Sequence, residues 1–310
     1  MTDKIIIIGE CMVELQKQGE LYRQGFGGDT LNTALYLSRL TKHLPFTVRY
    51  ATGLGVDEFS QQMLTQWQKE GIDTSLVFQS QTRLPGLYSI FTQPNGERHF
   101  YYWRNDSAAK YWLSEVDLDC LQLQFCQAKW LYLSGISLAI LPDKEREILF
   151  DLLQKAKQGG TKIAFDNNYR PILWQSKTLT QQIYQRILSL TDIAFLTFDD
   201  EILLYGEHHI DACIQRTQGY GVPEIVIKRG AEPCIVVTDQ YQQLAANKID
   251  KVVDTTAAGD SFSAGYLAKR LAGGSVLQAI AQGHQLAGLV IQHKGAIIER
   301  PVMQHLIEQK

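Results

Sequence analysis

The chain has no paired-cysteine pattern. Its five cysteines (Cys11, Cys120, Cys126, Cys213 and Cys234) are scattered, odd in number and show no C-x-x-C spacing. That argues against a disulfide framework or a zinc site and suits reduced thiols in a cytoplasm. A large charge of either sign is also missing. The formal net charge is −3, which argues against a role dominated by nucleic acid or a membrane surface. The four isoleucines at 5–8 are too short a run for a signal peptide or a membrane span and read as a buried strand. Low-complexity segments and internal repeats are absent. So are the P-loop sequence G-x-x-x-x-G-K-[ST] and the protein-kinase motifs. Gly9 is followed by Glu-Cys-Met-Val, which is not the dinucleotide fingerprint G-x-G-x-x-G. What remains is 310 residues, 45% hydrophobic and 20% charged: one large α/β domain, or one domain with an appendage, and an ample core.

Lys4–Gly9 is a β-branched run ending at Gly9-Glu10, the pattern of a central parallel strand. Thr47–Leu54, Trp130–Ser134, Lys162–Asp166, Ile193–Leu196, Glu224–Lys228 and Ile235–Thr238 read as further strands. Thr30–Lys42, opened by Asp29 or Thr30 as a cap, reads as a helix, as do Asp57–Glu70, Pro142–Gln158 and Ser275–His293. A further helix starts over Asp199–Leu204, and a short one closes the chain over Arg300–Gln309. Phe59, Met63 and Trp67 recur at four-residue spacing and are expected in the core. The alternation predicts a doubly wound, mainly parallel sheet covered on both faces, with ligands outside the carboxyl ends of the strands. Asn167–Arg170 and Lys228-Arg229-Gly230 fall at such ends. Cys11, beside Glu10, has no evident histidine partner and reads as a packed thiol. His208-His209 reads as a solvated loop.

Two stretches break the rhythm. Residues 12–26 alternate weakly, as edge strands of a small appendage would. Gly86–Thr92 and Arg98–Arg104 read as a hairpin turning through Pro94-Asn95-Gly96. Alternation puts Phe100, Tyr102 and Arg104 on one face and Tyr101 and Trp103 on the other. On these residues alone, packing of the aromatic hairpin on its own domain is the simpler reading.

The clearest chemical signal is Val253-Asp254-Thr255-Thr256-Ala257-Ala258-Gly259-Asp260-Ser261-Phe262. It follows a Lys/Asp/Val-rich segment that reads as a strand, and it runs into a helix over Ser261–Leu271. Small residues at 257–259 let the backbone turn tightly and present consecutive N–H groups at a helix start. Free donors and the positive end of the helix dipole suit an anion such as phosphate. Asp260 sits in that site. It is either the acceptor of a proton from a hydroxyl attacking the phosphate or a cap of the helix.

This stretch resembles the C-terminal signature of the ribokinase-like (PfkB) carbohydrate kinases, whose usual core is G-A-G-D, with Ala257 in place of the first glycine. Gly27-Gly28-Asp29-Thr30-Leu31-Asn32 resembles the family's N-terminal element, and the two motifs stand in the family's order. The likeness spans nearly the whole chain. Gly9–Met12, Gly25–Asn32, Tyr101–Asn105, Asp166–Arg170 and Lys294–Ile298 bring it nearest to the enterobacterial type of the family's branch that acts on 2-keto-3-deoxygluconate. The resemblance implies one ribokinase-like domain over 1–310 with a β lid formed from about 12–26 and 84–106. It implies ATP and Mg²⁺ as cofactors, a sugar acid as the small-molecule partner, a homo-oligomer built through the lid strands, and a cytoplasmic location. A kinase of a neutral sugar such as fructose or ribose, and a catalytically silent sugar-binding regulator, are the alternatives.

Residue roles follow from the same resemblance. Asp260 would be the general base, with the main chain of Ala257, Ala258 and Gly259 and its own N–H as the anion hole. Sugar contacts would come from Gly28, Asp29, Thr30, Leu31, Asn32, Tyr88, Tyr102, Trp103, Arg104 and Arg170. Two arginines suit a carboxylate, although each taken singly reads as a surface or ion-paired residue. Nucleotide contacts would come from Asn168, Thr197, Lys228, Arg229, Gly230 and the 257–259 turn, with His284 and Ala287 near the adenine. Where many members carry N-x-x-E, this chain has Thr197-Phe198-Asp199-Asp200. Asp200 therefore takes the magnesium role, acting through water, with Glu201 as its rival.

Overall fold

The computed structural model describes residues 2–92 and 98–308. The turn expected at Pro94-Asn95-Gly96 and the terminal Gln309 lie outside them. Nine strands form the main sheet, in the order β13-β12-β11-β10-β9-β8-β1-β4-β5. These are β1 (Asp3–Ile8), β4 (Phe46–Leu54), β5 (Val77–Gln79), β8 (Trp130–Ser134), β9 (Lys162–Asp166), β10 (Ile193–Thr197), β11 (Glu224–Lys228), β12 (Cys234–Val237) and β13 (Tyr241–Leu244). From β5 to β11 every pairing is parallel, and β12 and β13 add an antiparallel edge. A second sheet of four strands, ordered β3-β2-β6-β7, contains β2 (Met12–Gln18), β3 (Leu21–Gly27), β6 (Leu87–Thr92) and β7 (Arg98–Trp103).

Eleven α-helices are present among the described residues: α1 (Asp29–Leu40), α2 (Glu58–Lys69), α3 (Leu118–Cys126), α4 (Gly135–Ala139), α5 (Asp143–Gln158), α6 (Lys177–Leu188), α7 (Phe198–Tyr205), α8 (Ile210–Gly219), α9 (Ala258–Leu271), α10 (Val276–Val290) and α11 (Gln304–Ile307). None is long and apolar enough to cross a membrane.

Successive strand residues point to opposite faces, and the core divides accordingly. Ile5, Ile7, Tyr132, Ala164, Phe195 and Val226 join one apolar cluster with α1, α9 and α10. Ile6, Ile8, Leu133, Phe165, Leu196 and Ile227 join the other, with α5 and α6. Continuing that alternation to the strand ends sends Asp166, Thr197 and Lys228 to the α1/α9 side. The direction of strand addition reverses at β1, with β4 on one side and β8 on the other. A crevice at such a reversal is where open α/β sheets bind ligands.

Several expectations are corrected. Asp29 does not cap α1; it lies in the first turn behind Gly28. Phe59 is 38% exposed, whereas Met63 and Trp67 are buried. Asp57 caps α2 through the amides of Phe59 and Ser60, and this sets Phe59 at the helix start, on the rim of the buried stripe. Residues 251–253 form no strand; Val253 is instead tied to the carbonyl of Ile291 at 2.8 Å. Strands β5 and β13 and helices α3, α4, α6 and α8 went unread, being short or rich in polar residues.

Trp67 packs edge-on against Tyr50 at 5.0 Å, and the Tyr50 hydroxyl bonds Thr30 at the start of α1. Trp67→Ala should therefore lower the unfolding free energy by about 3–5 kcal/mol, measured by urea titration. A loss under about 1 kcal/mol would show that this stripe does not support the sheet.

Candidate active site

Helices α1 and α9 bring their N-termini together above the crevice. Neither has a side-chain cap, so both leave first-turn N–H groups free. In α9 the Ala258 N–H is used by the Thr255 carbonyl at 3.2 Å. Gly259 and Asp260 follow it in the first turn, so the donors expected from Ala258 reduce to the next two. A β-carbon on Gly259 would meet the Lys228 Nζ at 3.5 Å and nothing closer, so the turn is open on its outer side. At the start of α1, a β-carbon on Gly28 would strike the Glu10 carbonyl. Glycine is required there by close approach.

Asp260 is not a cap. Its Oδ2 accepts a hydrogen bond from the Asn32 amide at 2.8 Å, and its carbonyl faces the Thr33 hydroxyl at 3.4 Å. Asn32 and Asp29 stand on the same helix. Asp29 in turn accepts from the Asn168 amide at 2.7 Å. Asn168 has φ 26°, the one positive value among described non-glycine residues, and its main-chain N–H is held by the Asn167 side chain at 2.8 Å. Such a conformation is tolerated by asparagine and suits a site that over-determines it. Asn168 was expected to face nucleotide; its amide is instead committed to Asp29.

The side chains of Thr30 and Leu31 are turned away from the crevice. Thr30 is buried against Tyr50 and Leu31 lies in the core. Only their main-chain groups remain for a ligand. Lys228 is also corrected. It is buried, with Nζ 2.7 Å from Asp166 and 3.3 Å from the Ser263 hydroxyl, which itself donates to Asp166 at 2.9 Å. The ammonium lies beneath the α9 turn rather than in the open. Arg229 folds onto Glu232 and the Pro233 carbonyl, and Gly230 has φ 61° in the turn between them.

Asn167 and Asp166, which the sequence showed only as members of a strand-end cluster and a motif run, have roles of their own. Asn167 Oδ1 accepts from the Thr197 N–H at 2.9 Å, and its amide donates to the Thr197 carbonyl at 3.1 Å and to Glu201 at 2.8 Å. It staples the ends of β9 and β10 together. The signal available was a buried Asp-Asn pair at the end of an apolar strand.

The second sheet supplies the opposite wall. Tyr88 stacks on Tyr102 with centroids 5.8 Å apart, and Phe100 lies 6.4 Å from Tyr102. Arg104 is buried and pairs with Glu10, whose other oxygen accepts from the Ser107 hydroxyl at 2.6 Å. The Arg104 Nε is buried with no partner among the described residues. Arg170 is more open, its side chain 51% exposed and 3.5 Å from Asp200. Trp103 is corrected: it alternates to the face opposite Tyr102 and is 61% exposed, so it does not share the wall made by Tyr88 and Tyr102. His284 is a packed histidine, bonded to the Leu244 carbonyl at 3.0 Å and edge-on to Phe262. Ala287 packs against the core beside it. Cys11 is buried, and burial pushes its thiol well up.

The family model described as pfkB family carbohydrate kinase matches residues 2–303. The chain belongs to the pfkB family of carbohydrate kinases. It is 53% identical over 306 residues to a 2-dehydro-3-deoxygluconokinase of Dickeya dadantii, covering 97% of this chain and 99% of the relative. It is 52% identical to one of Escherichia coli K12, covering 98% and 99%. A fructokinase from Xylella fastidiosa, solved with bound ATP, has the same fold with a TM-score of 0.85 at 20% identity, and 99% of each chain is covered.

Charge in this pfkB kinase is concentrated around Asp260. Burial pushes the Asp260 carboxyl up to about 8, aided by Asp29 and then Asp166, and opposed by the Asn32 hydrogen bond and by Lys228. Asp200 is also raised by burial, with Arg170 opposing; it accepts the Tyr169 N–H at 3.1 Å. Glu201 is held by Asn167 and Arg216 inside the core. Of the two rivals, Asp200 is the one that borders the crevice. Among the described residues no group of three or more His, Cys, Asp or Glu is arranged to hold a metal.

An unfolded aspartate titrates near about 4, and the folded value is about 8. Between those values the native kinase binds the extra proton, so stability from Asp260 falls as pH rises through this window and the full cost is present above it. Asp260→Asn should therefore be more stable than the wild type. The gain should be small near about pH 4 and largest above about pH 8, read as the difference in thermal midpoint across pH. A wild type that is the more stable at alkaline pH would contradict the geometry.

Proposed function

We propose that this kinase transfers the γ-phosphoryl group of ATP to the terminal hydroxyl of 2-keto-3-deoxygluconate (2-dehydro-3-deoxygluconate), giving the 6-phosphate in sugar-acid catabolism. One observation carries the reading: a carboxylate held by Asn32 beside the uncapped first turn of α9. The names of the relatives at 52–53% identity supply the sugar. Asp260 accepts the proton of the attacking hydroxyl, and the N–H groups of Gly259 and Asp260 stabilise charge that develops on the phosphoryl group. Arg104, whose Nε the Glu10 pair leaves unpartnered, and Arg170, half exposed beside Asp200, take the sugar carboxylate, a contact that a neutral sugar does not offer. Tyr88 and Tyr102 close the sugar from the second sheet, which acts as the lid.

The open, side-chain-free turn at Gly259 fits a phosphate chain. Magnesium, carried mainly by phosphates and water and needing few protein ligands, fits beside Asp200, where it would neutralise phosphate charge. The outward face of the lid, with Tyr101 and Trp103 exposed, suits pairing with a second copy. Five free thiols suit a cytoplasmic location.

ADP release with ATP and Mg²⁺ should be rapid with 2-keto-3-deoxygluconate and slow with gluconate, fructose or ribose. Asp260→Asn should lower kcat by about 10²–10⁴-fold in protein that remains folded. Turnover of a neutral sugar alone would remove the carboxylate role of Arg104 and Arg170. Binding of a sugar without turnover would favour a regulator.

The groups facing Asp260 are Asp29 and Asn32 on α1, Asp166 on β9 and Lys228 on β11. The base must be deprotonated to act, so kcat/KM should rise with pH through an acid limb above the usual aspartate range. Asp29→Asn removes a like charge and should move that limb to lower pH. A limb that stays in place would assign it to another group.

A further inference from the structure

A row of residues crosses the whole second sheet in register. Gly25 on β3 faces Glu14 on β2, Glu14 faces Tyr88 on β6, and Tyr88 faces Tyr102 on β7. Within that row the Tyr88 hydroxyl donates to the Glu14 Oε2. Tyr88 is buried, and burial together with the Glu14 charge pushes its phenol far above the usual tyrosine range. The phenol therefore keeps its proton. A carboxylate is acceptor-only, so the direction of this hydrogen bond is not in doubt.

Two glycines flank the pair. A β-carbon on Gly27 would overlap the Tyr88 hydroxyl and come within 3.5 Å of Glu14 Oε2; on Gly25 it would stand 3.5 Å from Oε1. The backbone of β3 is thus bare where the carboxylate and the phenol meet. A half-buried carboxylate beside a stacked aromatic row is costly unless its hydrogen bonds are used, and an apolar residue would pack there more cheaply.

We propose that Glu14 is a positioning residue that accepts the Tyr88 O–H hydrogen bond and leaves only the phenol oxygen lone pairs to face the sugar. Tyr88 then reads a sugar hydroxyl, a donor, and cannot donate to a carboxylate. The acid end of the substrate is directed by exclusion toward Arg104 and Arg170. Glu14 never touches the substrate; it acts through the polarity of one phenol. This rests on Tyr88 being a sugar contact, as in the proposed function.

The test is a double-mutant cycle of Glu14→Gln and Tyr88→Phe, with KM and kcat measured on the sugar that the wild type phosphorylates. Each single variant should raise KM about tenfold and change kcat less than about threefold, and the double variant should be no worse than the poorer single one. Losses that multiply, a Tyr88→Phe enzyme with an unchanged KM, or a loss confined to kcat would each overturn the proposal. Should Glu14→Gln fail to fold, Gly27→Ala provides a second cycle. It should raise KM in the wild-type background by displacing the hydroxyl and raise it far less in Tyr88→Phe, where the overlap with the hydroxyl is gone and only the 3.2 Å approach to the ring Cζ remains; an equal rise in both overturns the proposal. The substrate reading is judged separately, by whether the wild type turns over 2-keto-3-deoxygluconate at all.

Discussion

The hydrogen bond from Asn32 to Asp260 is the interaction on which the site depends. It joins two helices whose uncapped starts both point into the crevice, and it does so through a carboxyl that burial and Asp29 push up to about 8 even with that bond in place. Positive helix ends favour an anion, yet the anion lodged there is a side chain with a raised pKa, not a permanently charged one. That combination gives a group able to accept a proton near neutral pH. It also carries a standing cost to stability, of the kind active sites sustain when function and stability disagree.

The rest of the sheet is arranged to tolerate that carboxylate. Strand alternation sends Asp166 and Lys228 to the same side as α1 and α9, where they pair 2.7 Å apart and share Ser263. The pair is nearly neutral as a unit, but its two charges have different neighbours. Lys228 lies next to the Gly259 position and lowers Asp260, while Asp166 raises it. A lysine seen at the end of a strand suggests an open phosphate ligand. Here its charge reaches the turn from below, through the helix backbone.

Much of the fold could be read from the chain because its signals are local. Five β-branched or apolar runs ending in small or polar residues gave β1, β8, β9, β10 and β11 within a residue or so, and the A-A-G-D stretch marked α9. The failures share a cause. Whether Thr30 faces ligand or Tyr50 and whether Lys228 faces solvent or Asp166 are questions of long-range pairing. Motif likeness assigns a position but not a direction. Trp103 shows this best, since the period-2 pattern already put it opposite Tyr102 and the motif assignment ran against that pattern. Asn167 was hidden for a different reason: its work is done on main-chain atoms of Thr197, which no side-chain pattern displays.

That staple also accounts for the departure at Thr197. With asparagine missing from the position, the end of β10 would lose a side-chain anchor. Asn167 instead takes both the N–H and the carbonyl of residue 197, so the strand end is fixed through its backbone and the side chain there is not called upon. The same Asn167 side chain holds the Asn168 amide nitrogen, and Asn168 reaches Asp29. The position of Asp260 is therefore set from β10 through β9 to α1 by polar groups paired one after another, save the Asn32 Oδ1, which is buried with no partner among the described residues. A buried network of this kind rigidifies a site when every member is paired and loosens it when one is not. Asp260 sits at its far end, where the last link is the Asn32 amide and the crevice lies beyond.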